Sequence, residues 1–293
     1  MSTADTPAVA RHRVRVALRT ARESRHLTQG QVADAMEWSL SKVMRIEKGD
    51  VNISVSDLRM LLAYLEITDP VEVKRLLDDA RTARSERWSA DSAYREYLPP
   101  ALFQLMQFEQ EATVIRHYAS VIVPGLLQTA AYARAVFDTF SGDFDEATVR
   151  TRIEARLSRR EQVFGRPDPP TYLLILDEAV LSRRVGGSGV MGEQLYELLG
   201  MIRQNLISAR VVPFVAPASI AVLGPFTLVD LGSEQNAILY RESQMVDEII
   251  HSRRILARHR TVFDQMWAAA LDDKASEQLI EERATTMLAE SGG

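Results

Sequence analysis

The six residues from Leu40 to Arg45 hold side chains suited to reading the edge of a base pair. The Arg45 guanidinium is a planar fork that can bond O6 and N7 of guanine together. Ser41 can donate or accept at several bases, and Leu40 can touch a thymine methyl. With Met44 these residues fall at i, i+1, i+4 and i+5, one face of a helix. Val43 and Ile46, three apart, fall on the opposite face and point inward with Met36. Lys42 stands at the edge of the outward face, where a point charge suits phosphate better than a base.

Bond-making chemistry has no such concentration anywhere in the chain. There is no cysteine, which removes disulfides, thiolate nucleophiles and cysteine-ligated metals together. His12, His26, His117, His251 and His259 form no i, i+4 ligand pair. Asp177-Glu178 follows a strand-like run, but neighbours in a strand point to opposite faces, so the pair reads as the start of a helix. Gly186-Gly187-Ser188-Gly189 lacks the Gly-Lys-Ser/Thr ending of a phosphate-binding loop and reads as a turn. Met191, Met201 and Met245 read as core filler. No catalytic residue, metal or cofactor is assigned, and the chain is not expected to be an enzyme.

The elements that must hold Arg45 are short helices. Val14, Ala17, Leu18 and Ala21 recur at helical spacing, giving a first helix over about 12–25. Thr28 with Gln31 makes a capping box for a second helix reaching about Met36, burying Val32 and Ala33. After a turn through Glu37 and Trp38, Ser39 caps a third helix that ends at Lys48, with Gly49 as its stop. A fourth starts near Ser54 or Ser56 and buries Leu58, Leu61, Leu62 and Leu65. Asp69-Pro70 starts a fifth. Two short helices across a tight turn inside a small all-helical unit describe a helix-turn-helix. Charge agrees. Residues 11–48 hold nine basic and four acidic side chains within a chain of net charge −5, and residues 91–293 hold 20 basic against 27 acidic. A basic head on an acidic body suits a polyanion partner.

Thr28-Gln29-Gly30-Gln31-Val32-Ala33, then Ser39, Ser41, Val43 and Arg45-Ile46-Glu47-Lys48-Gly49, resemble the Xre/Cro-repressor family of helix-turn-helix domains. Trp38 departs from the pattern, since a small aliphatic residue is usual in that turn; it could pack on the third helix or lie beside the sugar–phosphate backbone. The resemblance implies that Gln29 contacts the DNA backbone. It also implies that Arg22 and Glu47 form a structural pair locking the third helix, so that Arg22 is no DNA contact. The expected DNA-binding set is Gln29, Ser39, Leu40, Ser41, Lys42, Met44, Arg45 and Lys48.

Beyond this head, residues 71–92 look helical before turning polar at Ser85 to Ser92, and Leu98-Pro99-Pro100 opens a second domain. Helical stretches are expected near 101–111, 128–139, 144–164, 190–206, 245–271 and 275–290. Strand-like runs lie at Ala112–Tyr118, Tyr172–Leu176, Val211–Val215, Phe226–Leu231 and Ala237–Tyr240. Their strand order cannot be read. The fold expected is mainly α: a five-helix helix-turn-helix domain at 10–84, a linker at 85–98 and a larger mixed α/β domain at 99–293.

Glu109, Glu111-Ala112, Val123-Pro124-Gly125-Leu126-Leu127-Gln128-Thr129, Tyr132-Ala133-Arg134-Ala135, Leu176-Asp177-Glu178, Gly186-Gly187 and Pro225-Phe226 resemble a C-terminal domain of unknown function. That domain is found behind Xre heads in actinomycetes, in WhiJ-like developmental regulators and antitoxin-like regulators. The resemblance implies homodimers and a small, separately encoded partner protein. Pro124, Gly125, Leu126, Leu127 and Gln128 either line a sensing pocket or form a buried packing loop. The function expected is a sequence-specific transcriptional regulator on an inverted-repeat operator in double-stranded DNA, with the C-terminal domain dimerising and sensing. The alternative is an antitoxin-like protein that binds a small partner and autoregulates its operon. No stretch reaches the ~20 apolar residues of a membrane span, and residues 1–11 lack a signal-peptide core. A cytoplasmic, nucleoid-associated protein is expected.

Overall fold

The computed structural model describes residues 6–84, 94–139, 144–216, 224–233, 236–242 and 247–292. It separates into two units, Met1–Ser92 and Ala93–Gly293. Most of the expected linker, residues 85–93, lies outside the described residues, as does Met245.

The first unit is five helices: α1 (Pro7–Ser24), α2 (Gln29–Ala35), α3 (Leu40–Lys48), α4 (Val55–Tyr64) and α5 (Pro70–Thr82). Local chemistry sets their ends. The Thr28 hydroxyl accepts from Gln31 N at 3.1 Å while Gln31 Oε1 accepts from Thr28 N at 2.8 Å, closing the capping box of α2. Ser39, Ser54 and Asp69 cap α3, α4 and α5 through side-chain oxygens. Gly49 ends α3 at φ 85°, a left-handed conformation that costs a residue with a Cβ much more. Leu18, Val32, Val43, Ile46, Leu58, Leu62 and Leu76 form one core. The helix α1 starts at Pro7, before the expected residue 12, because Ala8, Val9 and Ala10 are buried and Pro suits a first helical position.

The second unit runs α6 (Pro100–Gln110), β1 (Val114–Ala119), a 3-10 turn (Gly125–Leu127), α7 (Ala130–Asp138), α8 (Glu146–Phe164), β2 (Thr171–Asp177), α9 (Glu178–Ser182) and α10 (Gly187–Arg203). It continues with β3 (Ser208–Val212), β4 (Phe226–Asp230), β5 (Ala237–Arg241), β6 (Glu248–Ile250), α11 (Arg253–Ala269) and α12 (Asp273–Ser291). The strands make one mixed sheet in the order β3-β2-β1-β4-β5-β6. β1, β2 and β3 are parallel; β4, β5 and β6 add on antiparallel. On one face Tyr118, Ile175, Phe226, Leu228 and Leu239 pack against Leu256, Phe263 and Met266 of α11. By alternation the other face carries His117, Tyr172, Thr227 and Tyr240.

One helix was expected over 245–271, but Glu248–Ile250 is an edge strand, and α11 begins only at Arg253. The β-branched pair Ile249-Ile250 aligns with Tyr240 and Leu239 of β5, and this pairing outweighs the helical periodicity that follows. β3 ends at Val212 rather than Val215, since Pro213 cannot donate to the ladder.

Candidate nucleic-acid interface

The outward face of α3 is Leu40, Ser41, Met44 and Arg45, all exposed, with Val43 and Ile46 buried beneath. Leu40 is 49% and Met44 37% exposed, unusual for large apolar side chains on a nine-residue helix. Arg45 and Lys48 take part in no ion pair among the described residues.

Three side chains fix α3 from below. Arg22 forks onto Glu47, Nε to Oε1 at 2.6 Å and Nη2 to Oε2 at 2.9 Å, and its Nη1 donates to Leu27 O at 2.8 Å. The Glu47 hydrogen bond is the chief reason the Arg22 pKa rises, against the opposing pull of burial. Gln29 Nε2 donates to the same Glu47 at 2.8 Å, so its amide braces α3 from the start of α2 rather than standing free. Arg15, buried under the C-terminal end of α3, donates from Nη2 to His12 Nδ1 at 2.7 Å and from Nη1 to Lys48 O at 3.5 Å. Burial pushes its guanidinium down to about 10. An arginine has no acceptor to offer, so Nδ1 of His12 is the unprotonated nitrogen.

Lys42, expected to meet phosphate, is paired within the head. Its Nζ is 2.9 Å from Asp57 Oδ2, at the start of α4, and 3.8 Å over the centre of the Trp38 ring. This answers what the unusual Trp38 does: it packs on the head's core and supplies the ring beneath Lys42. Ser39 is occupied as the α3 cap. The Asp57–Lys42 pair, the Arg15 bond to Lys48 O and the Gln29–Glu47 bond had no sequence signal, because their partners lie 15 or more residues away.

In the second unit, Val123 to Gln128 forms a packed turn. Tyr132 OH accepts from Val123 N at 3.1 Å, Gln128 Nε2 donates to Val123 O at 2.8 Å, and Leu126, Leu127 and Gln128 are buried. Gln194 braces it further, donating to Leu127 O at 2.9 Å and accepting from Thr129 N at 2.7 Å. The five residues from Pro124 to Gln128 therefore form a packing element, and a pocket lined by them alone is not what the geometry offers. Asp177 caps α9, and Glu178 accepts from Phe214 N and Arg283, so this pair opens a helix. Gly186 takes φ 70°, and a Cβ there would stand 2.7 Å from Ala135 Cβ, making the glycine turn a site of close packing. A row of polar groups that sequence reading missed lies inside this unit. Arg159 forks onto Glu109 at 2.5 and 2.6 Å, and His117 Nδ1 lies 3.1 Å from Tyr172 OH and 3.3 Å from Thr227 Oγ1. Burial first, then the Arg159 charge, pushes the His117 pKa down to about 3.

Among the described residues no group of three or more histidine or acidic side chains could hold a metal ion. No helix among them is long and apolar enough to cross a membrane.

Residues 13–76 match the model of a helix-turn-helix domain, so the N-terminal unit is a DNA-binding domain of that class. Residues 102–282, more than half the chain, match the model of a domain of unknown function, DUF5753, and the protein belongs to that family. No curated protein and no solved structure matches the chain.

Proposed function

We propose that the protein is a sequence-specific transcriptional regulator of the Xre/Cro type that reads double-stranded DNA through α3. The observation that carries this is the exposed set Leu40, Ser41, Met44 and Arg45 on a helix braced by Arg22, Gln29 and Arg15. Arg45 reads a base edge, the two apolar side chains meet thymine methyl groups, and Lys48 meets phosphate. The C-terminal unit joins two heads and senses an effector; no catalysis is assigned to it. One nine-residue helix reaches few base pairs, so two heads on a two-fold axis read half-sites about 34–36 Å apart in an inverted repeat. Binding at the second half-site is then intramolecular, which raises affinity without new contacts.

The test is a footprint of the full-length protein on sites selected from random duplexes, with its mass in solution from light scattering. A dimer protecting an inverted repeat is expected. A monomer protecting a single unrepeated site would overturn the dimeric reading, and protection without sequence preference would overturn base recognition.

A further inference from the structure

The C-terminal unit contains a guanidinium that lacks any hydrogen-bond acceptor. Nη1 of Arg156, on α8, is closed off from solvent and bonds nothing. Three other arginines of this unit each hold an acceptor through at least one nitrogen, although Nε of Arg116 and of Arg166 is likewise buried and unbonded. Arg159 has Glu109, Arg116 has Asp230 at 2.5 Å, and Arg166 has the main-chain oxygens of Gln110 and Ala112. Arg156 lies instead over the Phe137 ring, 4.3 Å from its centre. One helical turn earlier Arg152 lies 4.0 Å over Phe144, and the two rings meet edge to face at 6.2 Å. Two cations at i, i+4 thus share one helix face, each backed by a ring and neither paired with a carboxylate among the described residues. On a third side stands Gly125, where a Cβ would be 3.3 Å from Arg156 Nε.

Glu242 is the carboxylate whose charge acts on Arg156, yet no hydrogen bond joins the two. Burial first, then the Asp247 charge, raises its carboxyl pKa and favours its neutral form. Burial pushes Arg156 down to about 10, which still leaves it charged at neutral pH. A buried cation that keeps its proton needs an acceptor from elsewhere.

We propose that Arg156, with Arg152 beside it, is the binding site for a small anion carrying a carboxylate or phosphate group. The planar fork on an aromatic backing suits either oxyanion. This gives the sensing part of the proposed regulator its ligand class. It rests on the regulator reading only for its consequence at DNA.

The test follows melting of the full-length protein in sodium phosphate and in sodium succinate, each against sodium chloride at equal ionic strength. One or both anions raise the melting temperature by several degrees beyond chloride, and which one does so separates a phosphoryl from a carboxylate ligand. Arg156→Met keeps the stem on Phe137 and abolishes the rise; Gly125→Ala, which leaves Arg156 in place, weakens apparent affinity by about tenfold or more. No rise beyond chloride, or the same rise in Arg156→Met, overturns the proposal. If Glu242→Gln lowers the melting temperature as much as Arg156→Met and the anions protect neither variant nor the parent, Arg156 is merely the partner of Glu242. Arg45→Ala keeps the anion response while losing operator discrimination, so failure at DNA is told apart from failure at this site.

Discussion

In the head, the groups that carry chemistry stand outside and the charges that hold them lie beneath. Arg45 and Ser41 face solvent, while Arg22, Glu47 and Arg15 are tucked under α3. The C-terminal unit reverses that order. Its concentrated polar chemistry, Glu109–Arg159, His117, Tyr172 and Arg156, lies between the sheet and its helices, and the outside is laced with surface pairs such as Arg203–Glu277. A surface that reads a large, charged partner can stay hydrated until contact. A buried charge must be satisfied inside the fold or by a molecule small enough to enter, so truncation is more damaging there than on the reading face.

That contrast can be broken in order of effect. The largest loss is expected at the buried pair: Arg159→Met leaves Glu109 charged and alone, costing about 3–5 kcal/mol, whereas the double variant with Glu109→Leu recovers most of it. Denaturant melts of the full-length protein decide this, and equal losses in the single and double variants would show that the pair is not the source. Next is Arg22→Ala, expected to destabilise the head by about 3 kcal/mol, since Glu47 is only 8% exposed and Gln29 alone cannot neutralise it. Hydrogen exchange resolved by segment should confine that loss to the first unit. Arg45→Ala should leave both units' stability alone and weaken operator binding by about 1–3 kcal/mol while sparing scrambled duplex. Equal losses on both duplexes would make Arg45 a phosphate contact.

The smallest of these effects depends on pH. The folded His117 pKa lies below the unfolded value, so the unfolded chain binds the extra proton between about pH 6.5 and about 3. The stability His117 contributes is whole above 6.5 and drains as pH falls towards the folded value. At pH 5.5 the loss is about 1.4 kcal/mol relative to neutral pH. His117→Asn, which keeps an acceptor for Tyr172, should flatten the dependence; an unchanged slope would place the titration elsewhere.

Much of the head was legible because its signals are local. Thr28 and Gln31 cap within one turn, Ser39 and Gly49 bracket α3, and the i, i+3 spacing of Val43 and Ile46 separates inside from outside. The same locality hid what Lys42 does, because Asp57 lies in the next helix and the sequence carries no mark of which acid a lysine meets. In the second unit the strands were readable as apolar runs but their order was not, since β1 pairs with β2 and with β4 over 100 residues further on. β6 was read as helix because three residues are too few for an alternation to show. His117, Arg159 and Arg156 carried no signal at all: each is one polar residue in an amphipathic pattern, and only the fold puts them together.

The pairing of charges within the head has a thermodynamic consequence at DNA. Of the nine basic residues between 11 and 48, Arg13, Arg19, Arg22, Arg25 and Lys42 already hold an acid, and Arg15 is buried. A cation neutralised within its own chain displaces few counterions from a duplex. Of the remaining three, Arg11 is partly buried and Arg45 and Lys48 are exposed, so the two heads of the proposed dimer would bring about four free cations. The logarithm of affinity should then fall against the logarithm of salt with a slope of about −4, about a quarter of the slope of about −16 that a count of the basic residues in two such segments suggests. On the proposed reading, entropy released by departing ions would be a modest part of the grip on DNA, and contacts to base edges would have to supply more of it.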